Sequence, residues 1–308
     1  MVSKTLFILM LSKLHKLGPV NIRKIISQWI CTSTLDMNSL KNILEKDHPD
    51  IDLNLIDKKI KEAKSDIEYY ETQSVTIKNF LDKDFPKSLL EIENLPVLIF
   101  VRGSDAIFSV ENKNIAIIGT RKPSNEGRNI AFNSAKLLSD KGFCVVSGLA
   151  LGCDTEAHKG CLETNGLTTA VLAHGLDMIS PSSNKGLAQR IIEKGGALVS
   201  EYPFGVVPKA FTYIQRNRIQ SALSNIIILI ESELNGGSMT TIKFAMDQGK
   251  KVWVYQPSEF SKSTSGNKKL LTNITTQKSL LLEPEHKTEE SVKSFRSIEE
   301  LENLVNQL

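Results

Sequence analysis

The feature that most constrains the fold is a buried apolar strand that runs directly into a glycine turn, and it occurs twice. The first copy is I-A-I-I-G-T-R at residues 115–121, and the second runs from Cys144 to Asp154 and also ends in glycines. In α/β proteins such turns lie at the carboxyl edge of a parallel sheet, where backbone amides and helix N-termini bind phosphate. Two of them in one chain predict a phosphate-lined crevice.

Short apolar strands alternate with amphipathic helices around these turns, a pattern typical of a doubly wound parallel sheet. The predicted strands cover residues 97–101, 115–119, 144–147, 168–172, 197–200, 225–230 and 252–255. The predicted helices cover residues 127–141, 155–165, 185–194, 216–223 and 240–248. The expected fold class is α/β, an extended Rossmann-like doubly wound sheet with a small N-terminal helical domain and a short C-terminal helical tail.

A chain of 308 residues exceeds one ordinary core and leaves room for about two domains. We expect a helical domain over residues 1–80, the main domain over residues 81–282 and a tail over residues 283–308. Residues 6–30 show helical spacing on both sides of a Leu-Gly-Pro turn, which fits a plain helical hairpin or a helix-hairpin-helix unit. The apolar stripe from Val292 to Leu308 predicts one helix, too short for a complete winged helix, that packs on the core or on a second subunit.

Composition excludes several classes of protein. The chain is 41% apolar and 24% charged, with a net charge of +3 and no run of about twenty apolar residues that could span a bilayer. Its four cysteines form no C-x-x-C pair and no recognisable zinc spacing with histidine. We therefore expect a cytoplasmic protein without a metal or any other cofactor.

Four glycine turns follow predicted strands and should lie along one edge of the sheet. They are Gly119-Thr120-Arg121, the turn that begins with Ser147 and Gly148, the turn at residues 174–177, and the turn at residues 235–240 with Gly237, Ser238 and Thr240. Each turn alone is ordinary loop chemistry. Together, their amides and hydroxyls predict a site for an anionic ligand.

The segment at residues 208–218 mixes basic and aromatic side chains. Lys209, Arg216 and Arg218 could contact phosphates. Phe211 and Tyr213 offer flat surfaces on which unpaired bases stack. A solvated basic loop with two core aromatics is the alternative interpretation. On one helix Arg216 and Arg218 diverge, so that one could reach a ligand while the other braces the sheet edge.

Asp154 and His158 are four residues apart on one predicted helix, as a catalytic base and its partner would be. No nucleophile with oxyanion donors accompanies them, so we expect Asp154 to cap the helix and predict no catalytic residue.

Several segments together resemble the DprA/Smf family, the DNA-processing proteins of bacterial transformation. The segments are D-F-P-K-S-L-L, I-I-G-T-R-K-P-S, V-S-G-L-A-L-G-C-D-T-E-A-H-K-G, A-H-G-L-D-M-I-S-P, L-V-S-E-Y-P-F-G, Q-R-N-R-I-Q-S-A-L-S, E-L-N-G-G-S-M-T-T and S-G-N-K-K-L-L. The resemblance implies a Rossmann domain that binds and protects single-stranded DNA, forms a homodimer and delivers the strand to the RecA recombinase without catalytic turnover.

The same resemblance assigns the DNA contacts to Arg121, to Gly148, to Arg216, Asn217 and Arg218 of the R-N-R motif, and to Gly237, Ser238 and Thr240. The chain departs from the family where Tyr213-Ile214 replaces Phe-Pro, and where Ala210 takes the place of a basic residue next to Lys209.

Two other functions compete with DNA binding. Related Rossmann proteins hydrolyse nucleotides with a P-G-G-x-G-T turn and a following glutamate, but here the turn is N-G-G-S-M-T-T-I-K and no acid follows in the next turn. A scaffold that binds a partner through the C-terminal stripe is the third possibility.

Overall fold

The computed structural model describes residues 3–32, 36–108, 113–276 and 292–308. By contact density the chain forms two compact units, Met1–Val101 and Arg102–Leu308. The sequence predicts the boundary earlier, after residue 80. We describe each unit by itself.

The N-terminal unit is mainly helical. Its helices are α1 (Lys4–Ser12), α2 (Pro19–Ile30), α3 (Met37–Asp47), α4 (Ile56–Thr72) and α5 (Lys87–Leu90), and its strands are β1 (Val75–Asn79) and β2 (Leu98–Gly103), the last of which ends just past the boundary. Helices α1 and α2 flank the turn at Gly18, as predicted. Helix α2 begins at Pro19, because proline is tolerated at the first position of a helix, where its missing amide costs no hydrogen bond. Phe7 and Trp29 pack edge to face between them, with ring centroids 4.6 Å apart.

The C-terminal unit alternates strands and helices. Its strands are β3 (Asn114–Ile118), β4 (Cys144–Ser147), β5 (Thr168–Leu172), β6 (Ala197–Ser200), β7 (Ile226–Leu229), β8 (Lys251–Tyr255) and β9 (Val292–Phe295). Its helices are α6 (Asn125–Asp140), α7 (Cys153–Glu163), α8 (Lys185–Glu193), α9 (Ala210–Ala222), α10 (Gly237–Asp247), α11 (Ser265–Thr276) and α12 (Ile298–Val305). Short 3-10 turns occupy Leu53–Leu55, Ala106–Phe108, Ser182–Asn184 and Lys262–Thr264.

The strands of this unit form a parallel sheet in the order β6-β5-β4-β3-β7-β8-β9. Strands β4, β5 and β6 follow one another on one side of β3, and β7 then pairs with β3 on its other side. The strand order therefore reverses between β3 and β7, and ligands of open α/β sheets bind in the crevice at that point. The predicted α/β doubly wound sheet is confirmed.

Strands β3 to β7 are buried on both faces, which explains their continuous runs of mostly apolar residues. Strand β7 is an example, with side chains that are at most 2% exposed at Ile226, Ile227, Ile228 and Leu229. Each fully buried large apolar side chain stabilises the fold by about 1.5–3 kcal/mol relative to exposure.

The predicted limits of the helices and strands differ most from the structure at helix α9 and in the C-terminal tail. Helix α9 begins at Ala210, six residues before its predicted start at residue 216, because the backbone amide of Lys209 donates to Thr212 Oγ1 (2.8 Å) and fixes the N-terminus there. The tail is not one helix: residues 292–295 form strand β9, and only Ile298–Val305 are helical. Pairing with β8 and complete burial of Phe295 against Tyr255 outweigh the helical periodicity of that segment.

The predicted extension of the strands near Leu280–Leu282 and the tail boundary at residue 283 lie outside the described residues. Among the residues that are described, no helix is both long and apolar enough to cross a membrane. In the same ranges, no cluster of His, Cys, Asp and Glu has the composition of a metal site.

Candidate functional site

A cavity of about 440 Å³ opens at the carboxyl ends of β3 and β7, where the strand order reverses. It is lined by Ile118, Gly119, Thr120, Arg121, Lys122, Ala150, Asp154, Tyr213, Arg216, Asn217, Gln220, Ser232, Glu233, Gly236, Gly237, Ser238, Thr241 and Ser263. Its size is that of a small-molecule pocket.

The turn from β3 into α6 carries two exposed cations, Arg121 and Lys122, to the cavity. Backbone hydrogen bonds hold this turn from both sides. The amide of Thr120 donates to the carbonyl of Glu231 (2.7 Å), and the amide of Cys153 donates to the carbonyl of Thr120 (3.2 Å). Gly152 has φ +79°, and a Cβ there would collide with the carbonyl of Thr120, so only glycine allows this close approach.

Glu231 lies buried beneath the same turn. Its carboxylate accepts hydrogen bonds from the backbone amide of Ser124 (2.9 Å) and from the hydroxyl of Ser124. That hydroxyl in turn accepts from the amide of Gly127 (2.9 Å) and caps α6. The loop that presents Arg121 is therefore a fixed part of the sheet edge.

Tyr213, on the first turn of α9, lies between two arginines. The Cζ of Arg121 is 4.9 Å from the ring centroid of Tyr213, and the Cζ of Arg216 is 6.0 Å from it. Both distances lie within the range of cation–π attraction. The tyrosine thus holds Arg121 over the cavity.

Arg216 is buried, unlike Arg121. Its Nη1 donates to the carbonyls of Gly148 (2.9 Å) and Val171, and its Nε donates to Asn217 Oδ1 (3.1 Å). Burial lowers the pKa of Arg216, which the negative charge of Asp154 opposes. A Cβ on Gly148 would lie 2.6 Å from the guanidinium, so glycine is required at that position.

Asp154 is not the helix cap that the sequence predicts. Helix α7 begins at Cys153, two residues before its predicted start, with Gly152 as its N-cap, and the buried carboxylate of Asp154 accepts from the amides of Gly148 (3.0 Å) and Ala150 (3.3 Å). Burial raises the pKa of Asp154, while Arg216 and these amides oppose that shift. The side chain thus fixes the turn after β4.

His158 is buried one turn further along α7 and contacts Thr168 Oγ1 through Nδ1 (2.7 Å). Burial lowers its pKa to about 3, so the imidazole is neutral. It does not line the cavity.

Helix α10 points its N-terminus at the cavity. Gly236 is its N-cap, and Gly237, Ser238 and Thr241 line the wall. The first amides of a helix have no intrahelical acceptor and carry partial positive charge, which favours an anion. Thr240 is not among the lining residues, whereas its neighbour Thr241 is.

Six of the fourteen predicted DNA contacts lie outside the cavity lining: Ser147, Gly148, Lys209, Phe211, Arg218 and Thr240. Ser147 is buried, and its hydroxyl donates to the carbonyl of Ile117 (2.7 Å). Lys209 and Phe211 are exposed at the start of α9, with Phe211 65% accessible.

Arg218 is the arginine that braces the sheet edge. Its Nη1 and Nη2 donate to the two carboxylate oxygens of Glu201 at 2.8 and 2.6 Å, and both side chains are largely buried. The sequence predicts that one of Arg216 and Arg218 braces the sheet edge while the other reaches a ligand, but it leaves open which arginine does which.

Several lining residues are not predicted from the sequence. They are Lys122, Gln220, Ser232, Glu233, Thr241 and Ser263, together with Asp154, which was assigned to a cap. Gln220 could have been found, since Tyr213, Arg216 or Asn217, and Gln220 share one face of a helix that starts at Ala210. Ser232 and Ser263 carry no such signal because they come from separate loops.

Comparison with known proteins identifies relatives of this chain. The sequence model of a family described as DNA recombination-mediator protein A matches residues 76–288. The chain is 37% identical over 169 residues to protein Smf of Escherichia coli, in an alignment that covers 55% of this chain and 45% of that protein. It is 32% identical over 202 residues to DNA processing protein DprA of Bacillus subtilis, which covers 66% of this chain and 67% of that protein. The matched region thus spans less than half of the Escherichia coli relative.

Two solved structures share the fold. DNA processing protein A of Streptococcus pneumoniae superimposes with a TM-score of 0.77 at 26% identity, covering 99% of this chain and 98% of that one. DNA processing protein A of Helicobacter pylori, whose structure concerns its single-stranded DNA binding mode, gives a TM-score of 0.62 at 24% identity, covering 75% and 96%.

Proposed function

Because this chain belongs to the DNA recombination-mediator protein A family, as its motifs predict, we propose that it binds single-stranded DNA in the cavity between β3 and β7. We further propose that it protects the strand, loads the RecA recombinase onto it and acts as a homodimer in the cytoplasm without catalytic turnover.

The observation that carries the proposal is the concentration of positive charge around one cavity. Arg121 and Lys122 are exposed on its rim, Arg216 lies in its wall and the N-terminus of α10 points into it. A net charge of only +3 would not by itself attract a polyanion, but local potential decides phosphate binding.

The shape of the site favours a single strand over a duplex. A cavity of about 440 Å³ with polar groups in its wall can take up an unstacked nucleotide, whereas a paired base stays inside its helix. The single-stranded DNA binding mode of the Helicobacter pylori relative supports the same assignment.

The test is a titration of labelled single-stranded and duplex oligonucleotides across a salt series. We expect preference for the single strand, and a log affinity that falls by about 0.7 per neutralised phosphate for each tenfold rise in salt. Arg121→Ala and Lys122→Ala should each weaken binding and flatten the slope by about one phosphate contact. Lys136→Ala, on the exposed face of α6, is the matched control. Unchanged slopes in both rim variants would refute the assignment.

Arg216 is unsuitable for this test. Its guanidinium holds the turns after β4 and β5 through the carbonyls of Gly148 and Val171, so Arg216→Ala would damage the fold and the site together.

RecA loading has its own experiment. Filament formation by RecA on DNA coated with single-strand-binding protein should speed up when this protein is added, and Arg121→Ala should reduce the gain. An equal rate of filament formation with and without the protein would argue against RecA as the partner.

The proposed homodimer has a separate test, which is sedimentation of the free protein.

Nucleotide hydrolysis is the alternative function. Glu233 lines the cavity with an exposed carboxylate that could act as the general acid or base of hydrolysis. The carboxylate of Asp154 already accepts hydrogen bonds from two backbone amides. Release of free base from a panel of nucleotides, lost in Glu233→Gln, would favour hydrolysis over DNA binding.

A further inference from the structure

The loop between β8 and α11 is firmly attached beside the cavity. The amide of Ser261 donates to Thr264 Oγ1 (2.8 Å), and Thr264 is buried. Asn267, on α11, is completely buried and joins this helix to the chain after β7 and to the end of β8: its Oδ1 accepts from the amide of Ser232 (2.9 Å), and its Nδ2 donates to the carbonyls of Ile230 (2.7 Å) and Tyr255 (2.9 Å). The loop is therefore held in one conformation.

This ordered loop leaves an aromatic ring and two cations on the surface. Phe260 is 39% exposed, and the Nζ of Lys268 lies 6.0 Å from the centroid of its ring. Lys262 and Lys268 are exposed as well. We call Phe260, Lys262 and Lys268 the Phe260 platform.

The platform adjoins the proposed DNA site. Ser263 lines the cavity, and Phe260 is three residues away, which places its backbone within about 11 Å by chain length alone. A strand that leaves the cavity past Ser263 therefore reaches the platform within a few nucleotides.

The chemistry of the platform fits a nucleotide. Aromatic rings on which bases stack, next to cations that contact the backbone, are the usual elements of single-strand binding and tolerate any base. Glu259 is the adjacent carboxylate, and it is exposed and solvated.

Resting on the proposed function, we propose that the Phe260 platform is a second nucleotide subsite, which stacks a base on Phe260 and contacts the following phosphate with Lys268. The cavity then holds one part of the strand and the platform holds the next. The subsite matters for long strands and not for short ones.

The experiment compares oligothymidylates of about three and about twelve nucleotides, lengths below and within the range of known single-strand sites. Phe260→Leu and Lys268→Gln are tested against the full-length protein. Leu167→Ala and Lys136→Gln are the controls, because Leu167 precedes β5 at the opposite edge of the sheet and Lys136 lies on α6. Thermal unfolding checks each variant.

We expect Phe260→Leu to weaken binding of the longer strand about tenfold and to leave the shorter strand unaffected. Phe260→Trp should retain full affinity because it preserves the stacking surface. Lys268→Gln should lower the salt slope for the longer strand only. The controls should match the unsubstituted protein at both lengths.

Unchanged affinity for the longer strand in both platform variants would overturn the subsite while leaving the cavity site intact. An equal loss at both lengths would also overturn it, because the loop would then act only through Ser263. Failure of the unsubstituted protein to bind either length would instead refute the proposed function.

Discussion

The guanidinium of Arg121 lies 4.9 Å above the ring centroid of Tyr213, on a helix that begins only three residues earlier. The sequence suggested that Tyr213 stacks a base. In the structure its ring is already in contact with an arginine, and a second arginine, Arg216, lies 6.0 Å away. Tyr213 therefore orients Arg121, whose planar guanidinium can itself stack on a base.

Substituting Tyr213 should test this positioning role. Cation–π attraction at a partly exposed site is about 0.5–1 kcal/mol, so Tyr213→Leu should weaken single-strand binding about two- to fivefold. Tyr213→Phe keeps the ring and should bind within twofold of the unsubstituted protein. Combining each change with Arg121→Ala in a double-mutant cycle should show that the two effects are not additive. A much larger loss that persists in the Arg121→Ala background would indicate direct stacking of a base instead.

Arg218→Ala should affect stability and leave the salt slope of DNA binding unchanged. Removing one partner of a buried ion pair leaves Glu201 uncompensated, which costs about 3–5 kcal/mol of unfolding free energy. Denaturant unfolding measures the loss. Replacing both residues, Arg218→Met with Glu201→Leu, should recover much of it. A reduced salt slope in folded Arg218→Ala would assign the residue to DNA.

Glu231→Gln should loosen the turn that carries Arg121. The amide of Ser124 and its hydroxyl both donate to the carboxylate, and a glutamine offers one oxygen and an additional donor, so one hydrogen bond is lost. We expect about 1–3 kcal/mol lower stability, faster hydrogen exchange at Ser124 and weaker DNA binding. Glu163→Gln, at the exposed C-terminal end of α7, should stay within about 0.5 kcal/mol. Normal exchange at Ser124 would contradict the role of Glu231.

His158 should make the fold less stable in acid. Burial lowers its pKa from 6.5 to about 3 in the folded chain. The unfolded chain therefore binds a proton as the pH falls below about 6.5, while the folded chain does not. The neutral imidazole therefore stabilises the folded chain fully above about pH 6.5. As the pH falls from about 6.5 to about 3, the free energy of unfolding decreases by about 1.4 kcal/mol for each pH unit.

The measurement is denaturant unfolding of the unsubstituted protein and His158→Gln at about pH 7 and about pH 5. The difference between the two pH values should be about 2 kcal/mol smaller in the variant. His174, whose pKa burial also lowers, adds to the slope in both proteins and cancels in the comparison. Equal pH dependence in both proteins would exclude His158 as the source.

The sheet of the C-terminal unit could be predicted from the sequence because each buried strand is a short apolar run with a turn at its end. Strands β4, β5 and β6 begin and end at the predicted residues. Buried parallel strands need apolar side chains on both faces, and this requirement is visible in the residues of each strand by itself. The glycine turns are local signals for the same reason.

Strand β9 could not be predicted in this way. Val292 to Phe295 fits the helical stripe of the tail, and only pairing with β8 makes the segment a strand. Such pairing depends on a neighbour that is distant in the sequence, so periodicity within the segment carries no information about it.

The sequence alone determined the fold class, the family and the edge of the sheet where the cavity lies. The roles of the individual residues depended on the tertiary structure. Arg121 and Arg218 are both arginines of family motifs, yet one is exposed on the cavity rim and the other is paired with Glu201 inside the protein. A residue's type states which interactions it can make, whereas its burial and its neighbours from other elements determine which of them it does make.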